Sequence, residues 1–284
     1  MVAYPIRTLM MLVVLAGIAA LRIEPAIAQI AQPPAAKPEM NESCPGLIAR
    51  NRPRATPASL RLALNADEVR VNYIGHSTFM IESPQKVRIA TDYNDYVKPA
   101  ALPDIATMNH AHTTHYTDHP DPRIPHVLRG WGMSQDKPAR YDLSLRDVRV
   151  RNVPTNIRDW AGGTERHGNS IFIYEMANMC IAHLGHLHHT LTQQQLDEMG
   201  RIDIVFAPVD GTLTLDTDGM IDVLQSVKAQ LVIPMHYFSS FTLHRFLDVA
   251  KNRKWDIEFA PVPTTMVSKT TLPANPKVLV LPGR

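Results

Sequence analysis

The histidines of this chain are concentrated in a pattern that suits metal chemistry. Of the 13 histidines, four lie between positions 110 and 119, and four more lie between positions 183 and 189. A further one, His236, follows the apolar run 231–233. Imidazole is the commonest protein ligand for zinc and similar ions, and it binds them as a neutral nitrogen donor. One such group alone would fit a solvated surface patch, but three groups that each follow a strand favour convergence on one ion.

The elements that must position these histidines follow from the spacing of apolar residues. Hairpins come first along the chain and strand–helix units follow, which predicts an α/β body with mixed sheets. Helices are predicted at 192–199, 218–229 and 241–251, the first with Thr190 or Thr192 as its cap. Strands are predicted at 69–73, 78–81, 87–90, 105–108, 148–153, 170–174, 179–182, 202–207, 231–233, 262–267 and 278–281.

The N-terminal segment predicts an exported protein. Arg7 precedes the uncharged apolar run 9–21, and an Ala-Ile-Ala sequence ending at Ala28 supplies a small-residue cleavage signal. A membrane anchor is the alternative, but a membrane-spanning helix needs about 20 apolar residues. We therefore expect a signal peptide at 1–28, a Pro/Ala-rich arm at 29–65 and a folded domain at 66–284. If the source is bacterial, the mature protein is expected in the periplasm or outside the cell.

Composition excludes some classes of partner. The chain has 284 residues, 45% of them hydrophobic, and a formal net charge of +2. This balance gives no field that would attract nucleic acid, and no apolar stretch after the signal segment is long enough to cross a membrane. The two cysteines, Cys44 and Cys180, either form a disulfide or remain unpaired thiols.

The motifs around the histidines resemble those of the metallo-β-lactamase fold superfamily, and most closely its branch similar to the ascorbate-phosphate lactonases. The resemblance covers about 69–281 in consistent order, and it implies a four-layer αββα sandwich with a metal site at one edge between the sheets. The segments that carry it are GHSTF at 75–79, HAHTTH at 110–115, HLGH at 183–186, PVDG at 208–211 and PMHY at 234–237.

Three departures from the family pattern bear on the number of ions. Thr114 stands where the family has an aspartate, and His186 stands where it has a bridging aspartate. Arg158 stands where the branch has a histidine ligand. A threonine hydroxyl is a poor ligand and a guanidinium is none. Because carboxylates usually bridge paired ions, we expect one divalent ion rather than two.

The predicted ligands are imidazoles alone. Such a set suits zinc, although copper, iron and nickel also bind nitrogen donors. A zinc ion held by three histidines lowers the pKa of its water to about 7, which provides a nucleophile for hydrolysis. The predicted ligands are His110, His112, His115, His186 and His236.

Further residues are predicted to support this chemistry. Asp118 and His186 are the candidate catalytic residues, Asp118 either carrying a proton or simply ending a turn. Arg158, Asp210 and His189 are candidate substrate contacts, with a surface ion pair and a turn as the alternatives for the first two. His76 and His183 are expected behind the ligands, where they would orient them.

Together these features predict an exported metal-dependent hydrolase. Its substrate would be a small molecule with an ester, lactone, amide or phosphoester bond, since one fold hosts many reactions. The alternatives are a non-hydrolytic metal-binding or redox-active protein on the same scaffold, and a scaffold that binds a ligand without catalysis. The pattern predicts neither the exact substrate nor the oligomeric state.

Overall fold

The computed structural model describes residues 63–109, 112–132, 134, 136–159 and 161–283. The predicted signal peptide and most of the predicted arm lie outside the described residues. Cys44 and the predicted ligand His110 also lie outside the described residues. The predicted alternatives for the cysteines, a disulfide or unpaired thiols, therefore fall there too.

The described chain forms fourteen strands and three helices. In chain order they are β1 Glu68–Gly75, β2 Thr78–Glu82, β3 Arg88–Ala90, β4 Ile105–Met108, β5 His126–Arg129, β6 Asp142–Leu145, β7 Val148–Arg158, β8 Thr164–Met176, β9 Met179–His183, α1 Gln193–Met199, β10 Ile204–Pro208, α2 Thr217–Val227, β11 Leu231–Met235, α3 Ser240–Asn252, β12 Asp256–Phe259, β13 Thr264–Ser268 and β14 Lys277–Val280.

The strands make two mixed sheets. The first has the order β13-β1-β2-β3-β4-β5, and the second has the order β12-β14-β11-β10-β9-β8-β7-β6. Within the second sheet, β9, β10 and β11 are parallel neighbours. Their carboxyl ends therefore lie side by side at one edge, where the loops that follow can share a site.

The core lies between the two sheets and beneath the helices. Along β8, Phe172 and Tyr174 pack into the cluster between the sheets, whereas Ile171 and Ile173 pack into the cluster that includes α2 and α3. Successive side chains of a strand point to opposite faces, so a continuous apolar run buries both faces of a central strand. The second sheet is thus covered on one face by helices and on the other by the first sheet.

A smaller cluster lies on the other face of the first sheet. Ala106 and Met108 of β4 pack there with Tyr93 and Ile124, which belong to loops. Within the described residues, all three helices pack against the second sheet, and loop residues cover this face of the first. The predicted αββα fold family is confirmed by the similarity to solved structures given below.

Most predicted elements match observed ones, and three strands were missed. Thr192, not Thr190, caps α1, and its side chain accepts a hydrogen bond from the backbone of Gln195. The missed strands are β5, β6 and β12, and each lies at the edge of a sheet. Edge strands are buried less and give a weaker apolar pattern. Among the described helices, none is long and apolar enough to span a membrane.

Candidate metal centre

The site lies where strand ends from both sheets meet. The second sheet supplies His186 after β9, Asp210 after β10 and His236 directly after β11. The first sheet supplies His115 from the loop after β4, together with Asp92, which follows β3. Both sheets fix their residues through buried parallel strands, so the rigid part of the fold determines where these side chains lie.

His115 is held by a buried carboxylate. Its Nδ1 lies 2.6 Å from Oδ2 of Asp92, and both side chains are fully buried. The other carboxylate oxygen of Asp92 accepts a hydrogen bond from the side-chain amide of Asn109. Because the carboxylate accepts the hydrogen of Nδ1, the Nε2 atom of neutral His115 carries a lone pair. This is how proteins commonly orient a histidine that binds a metal.

His236 has the same arrangement in the second sheet. Its Nδ1 lies 3.1 Å from Oδ1 of Asp210, and both residues are buried. The second carboxylate oxygen accepts hydrogen bonds from the backbone amides of Thr212, Leu213 and Thr214. With its carboxylate turned into its own loop, Asp210 orients His236. Because both carboxylate oxygens have partners, this geometry argues against the predicted substrate contact of Asp210.

The two lone pairs point at each other. Nε2 of His115 and Nε2 of His236 are 3.1 Å apart. Two neutral imidazoles whose Nδ1 atoms both donate to carboxylates have no hydrogen to share across that gap. Two nitrogen ligands of one tetrahedral zinc ion, at the usual zinc–nitrogen length, are about 3.3 Å apart. The spacing and the chemistry of these atoms therefore fit a metal ion.

His76 completes a three-histidine group with this pair. One ring nitrogen of each of His76, His115 and His236 lies within 4.8 Å of the others. His76 sits in the turn between β1 and β2 with a left-handed φ of 53°, and its carbonyl accepts the backbone N–H of His236. Its buried Nε2 has no hydrogen-bond partner in the described part of the chain. His76 was predicted to lie behind the ligands, but the structure places it at ligand distance.

His112 lies at the rim of the same cluster. It is partly buried, and its ring centroid is 4.6 Å from that of His186 and 6.2 Å from that of His115. Its position is compatible with the predicted ligand role, which stays a prediction. The same holds for His110, which lies outside the described residues.

His186 differs from the ligands in the direction of its hydrogen bonds. The backbone N–H of Arg158 donates to Nδ1 of His188 at 2.6 Å, so that nitrogen has a lone pair. Neutral His188 then carries its hydrogen on Nε2 and donates it to Nδ1 of His186, also at 2.6 Å. His186 must in turn carry its own hydrogen on Nε2. This direction argues against the predicted role of His186 as a metal ligand, because a protonated nitrogen has no lone pair to offer.

His183 is also fully engaged by the protein. Its Nδ1 accepts the backbone N–H of Gly185, and its Nε2 donates to the carbonyl of Ser77 at 2.8 Å. Neither nitrogen is open to a ligand. The Nε2 atom lies 3.9 Å from Asp92, which agrees with a supporting position behind His115.

The remaining predicted residues lie around the cluster. The Arg158 guanidinium donates to the carbonyls of Leu213 and Thr214, so it braces the loop that carries Asp210. His189 is partly buried, and its Nε2 has no partner within the described residues. Asp118 is exposed in the loop after His115, and its catalytic role stays a prediction.

Electrostatics favours neutral imidazoles and charged carboxylates at this site. Burial lowers the pKa of His115 to about 4, although Asp92 acts in the opposite direction, and burial with His236 and His115 lowers the pKa of His76 to about 3. Burial alone would raise the pKa of Asp92, but His115 and His183 hold it below its usual value. Neutral nitrogen donors are the form that binds a metal.

Sequence reasoning missed Asp92, the carboxylate behind His115. Asp92 stands two residues after β3, at the same edge as the histidines, with a left-handed φ of 42°. A polar residue directly after a short apolar strand is a signal that could have identified it. It was overlooked because it lies outside the histidine groups.

Comparison with known proteins agrees with this geometry. A family model described as a beta-lactamase superfamily domain matches residues 70–236. The chain belongs to the beta-lactamase superfamily.

Relatives and solved structures give the class of activity. A metal-dependent hydrolase of Nanoarchaeum equitans is 22% identical over 60% of this chain and 84% of its own. One of Thermoplasma acidophilum is 25% identical over 63% of this chain and 87% of its own. A Thermotoga maritima structure described as a Zn-dependent hydrolase of the metallo-β-lactamase superfamily is 25% identical, covers 76% of this chain and 100% of its own, and has a TM-score of 0.56. The predicted class, a metal-dependent hydrolase, is confirmed.

Proposed function

We propose that this protein is an exported hydrolase that uses one divalent ion, zinc, to cleave an ester, lactone, amide or phosphoester bond in a small molecule. The observation that carries the proposal is the pair of carboxylate-backed imidazoles whose Nε2 atoms face each other at 3.1 Å. Support also comes from relatives named metal-dependent hydrolases.

The chain's own residues divide the work at this site. His76, His115 and His236 would hold the ion, and Asp92 and Asp210 keep the ligand rings in the orientation and protonation state that binding needs. A bound divalent ion acts as a Lewis acid and lowers the pKa of water toward neutrality.

A single ion suits the carboxylates of the described site. Asp92 and Asp210 both lie behind ligand imidazoles, each with hydrogen bonds to both oxygens. Within the described residues, neither is free to bridge two ions. Two divalent ions without a shared anion repel each other strongly in a buried site.

Metal analysis of the purified full-length protein tests this function. We expect close to one equivalent of metal, and hydrolysis of at least one substrate from a panel of lactones, esters, amides and phosphoesters. The His115→Ala/His236→Ala double variant should lose both properties, whereas His244→Ala, an exposed histidine of α3, should keep them. Less than half an equivalent of metal in the wild type would refute the proposal. Metal without hydrolysis would favour a binding or redox role.

Export is tested separately by the N-terminus of the mature protein. Expression in a Gram-negative host, followed by fractionation and mass spectrometry, should give a periplasmic chain that begins at Gln29. A cytoplasmic chain with residues 1–28 intact would contradict the signal peptide.

A further inference from the structure

His186 is a buried polar group aimed at the centre of the site. Its ring centroid lies 4.6 Å from that of His112, 4.9 Å from that of His115 and 4.8 Å from that of His236. Its side chain is buried, and its Nε2 has no hydrogen-bond partner among the described residues. A buried polar atom without a partner is costly, so such an atom beside a candidate metal centre points to a ligand.

The hydrogen-bond chain behind His186 decides what that atom offers. The chain starts at a backbone amide, that of Arg158 at the end of β7, and an amide N–H can only donate. Donation passes through His188 to Nδ1 of His186. Reversing the direction would require His188 to accept at both nitrogens, which only an imidazolate anion can do. The strand itself therefore fixes a hydrogen on Nε2 of His186.

We propose that His186 is a substrate-binding hydrogen-bond donor, whose Nε2–H binds a negatively charged oxygen on the reacting group of the substrate. The identity of the substrate rests on the proposed function, whereas the position of the hydrogen does not. The donor suits groups that carry or develop an anionic oxygen beside the scissile bond. These are phosphoesters, and esters, lactones or amides at their tetrahedral stage.

The surroundings favour a negative acceptor over a neutral one. His186 faces the ring nitrogens of His115 and His236, which would hold a cation, and the carboxylates of Asp92 and Asp210 lie on the far side of those rings. An anionic oxygen would thus meet a cation on one side and an N–H on the other. A hydrogen bond to a charged group is stronger than one between neutral groups. Donors fixed before the reaction are also the most effective at stabilising developing charge.

Other contacts hold the donor in place. The backbone N–H of His186 donates to Oδ1 of Asn169, whose amide nitrogen in turn donates to the carbonyl of Leu184. His188 is the positioning residue, because it transmits the direction of the Arg158 amide. Asn169 in β8 and His188 in the loop after β9 are both buried, so the donor needs no rearrangement to act.

The first experiment determines the tautomer directly. Nitrogen-15 NMR of histidine-labelled full-length protein, without metal and with zinc, should show the hydrogen of His186 on Nε2 in both states. His188→Phe should remove the preference, whereas His244→Phe should leave the His186 signals unchanged. A His186 hydrogen on Nδ1 in the wild type, or zinc coordination by its Nε2, would overturn the proposal.

The second experiment measures binding of zinc and of an anion. His186→Phe should keep zinc affinity within about threefold of wild type, and should weaken binding of inorganic phosphate to the zinc-loaded protein by about tenfold or more. His186→Gln, which retains an N–H donor, should recover part of that loss. If wild type and His186→Phe bound both phosphate and a phosphonate analogue of a lactone's tetrahedral stage with equal affinity, the proposal would be overturned. It would also be overturned by a loss of zinc binding as large as that of His115→Ala.

Two anionic probes, phosphate and a phosphonate, distinguish the kinds of substrate. Zinc binding and NMR together distinguish failure of the proposed function from failure of the proposed role of His186. Weakened binding of both phosphate and a phosphonate analogue of a lactone's tetrahedral stage indicates a phosphoester substrate. An effect on the phosphonate alone indicates an ester, lactone or amide. If the wild type bound no zinc, the proposed function would fail, while the NMR measurement would still decide the position of the His186 hydrogen.

Discussion

Two kinds of imidazole share this site, and they differ in what stands behind them. His115 and His236 are each backed by a buried carboxylate, Asp92 and Asp210, which accepts a hydrogen from Nδ1. His186 is backed by His188, which donates a hydrogen because a backbone amide stands behind it. The first kind presents a lone pair to the centre, and the second presents an N–H.

The difference shows that residue type alone does not define a ligand. All three rings are buried, within 5.0 Å of each other by centroid, and attached to strand ends of one fold. Only the acceptor or donor at the far nitrogen distinguishes a metal ligand from a substrate-binding donor. Changing the group behind a ring should therefore change its role without touching the ring.

The largest effect is expected when the carboxylate behind His115 is replaced. In Asp92→Asn, the new amide either opposes the Asn109 donor or donates to Nδ1 of His115, which moves the histidine hydrogen to Nε2. We expect zinc affinity to fall by about 10- to 100-fold. Calorimetric titration of the metal-free protein measures it, with the exposed Asp222→Asn on α2 as control.

An unchanged zinc affinity in Asp92→Asn would contradict the comparison between the two kinds of imidazole. It would mean that His115 keeps its hydrogen on Nδ1 without the carboxylate of Asp92. Circular dichroism of the variant separates a local change at His115 from loss of the fold.

A smaller effect is expected from the glycine that leads into His186. Gly185 has a left-handed φ of 63°, and a Cβ there would collide with the side-chain amides of Asn169 and Asn109. Gly162, with φ 84°, has open space around it and is the control. Both alanine variants incur the left-handed strain, about 1 kcal/mol, but Gly185→Ala should cost about 2 kcal/mol more, from overlap.

Urea unfolding of the two glycine variants measures this difference. Gly185→Ala should also displace Asn169, which accepts the backbone N–H of His186, and so alter the His186 NMR signals. Equal stabilities of the two variants would show that the loop after β9 yields easily, and would weaken the case for a rigidly fixed donor.

The fold could be predicted from the sequence because its central strands are buried on both faces. The sequences of β9 and β10 are continuous apolar segments, and these two strands begin and end within two residues of their predicted bounds. The edge strand β12, with a burial pattern of mostly exposed residues, gave no such signal. Sheet order and the pairing of the two sheets depend on long-range contacts that no local pattern encodes.

The site could be predicted only in part, because it too depends on long-range contacts. Strand-end histidines identified the region that contains His115 and His236. The carboxylate Asp92 and the reversed role of His186 depend on contacts across many residues, such as the Arg158 amide with His188. Hydrogen-bond direction is a property of the packed structure, and the spacing of histidines carries no information on it.

The smallest effect is expected when the pH of the metal-free protein is lowered, which tests whether the buried imidazoles stay neutral. The folded-state pKa values of His115 and His76, about 4 and about 3, lie below the unfolded value near 6.5. The unfolded chain therefore binds more protons below pH 6.5, so stability falls as pH drops from 6.5 toward 4. Each fully buried neutral histidine contributes a slope of at most about 1.4 kcal/mol per pH unit.

Urea unfolding at several pH values between 7.5 and 4.5 measures that slope. His115→Phe should make it shallower, because this variant removes one of the groups that must stay neutral. The control His244→Phe should leave the slope unchanged, since that side chain is exposed. A flat profile in the wild type would mean that the facing imidazoles accept a proton between them when metal is absent. Their geometry would then serve a shared hydrogen as well as an ion, and the preference for metal would rest on the carboxylates alone.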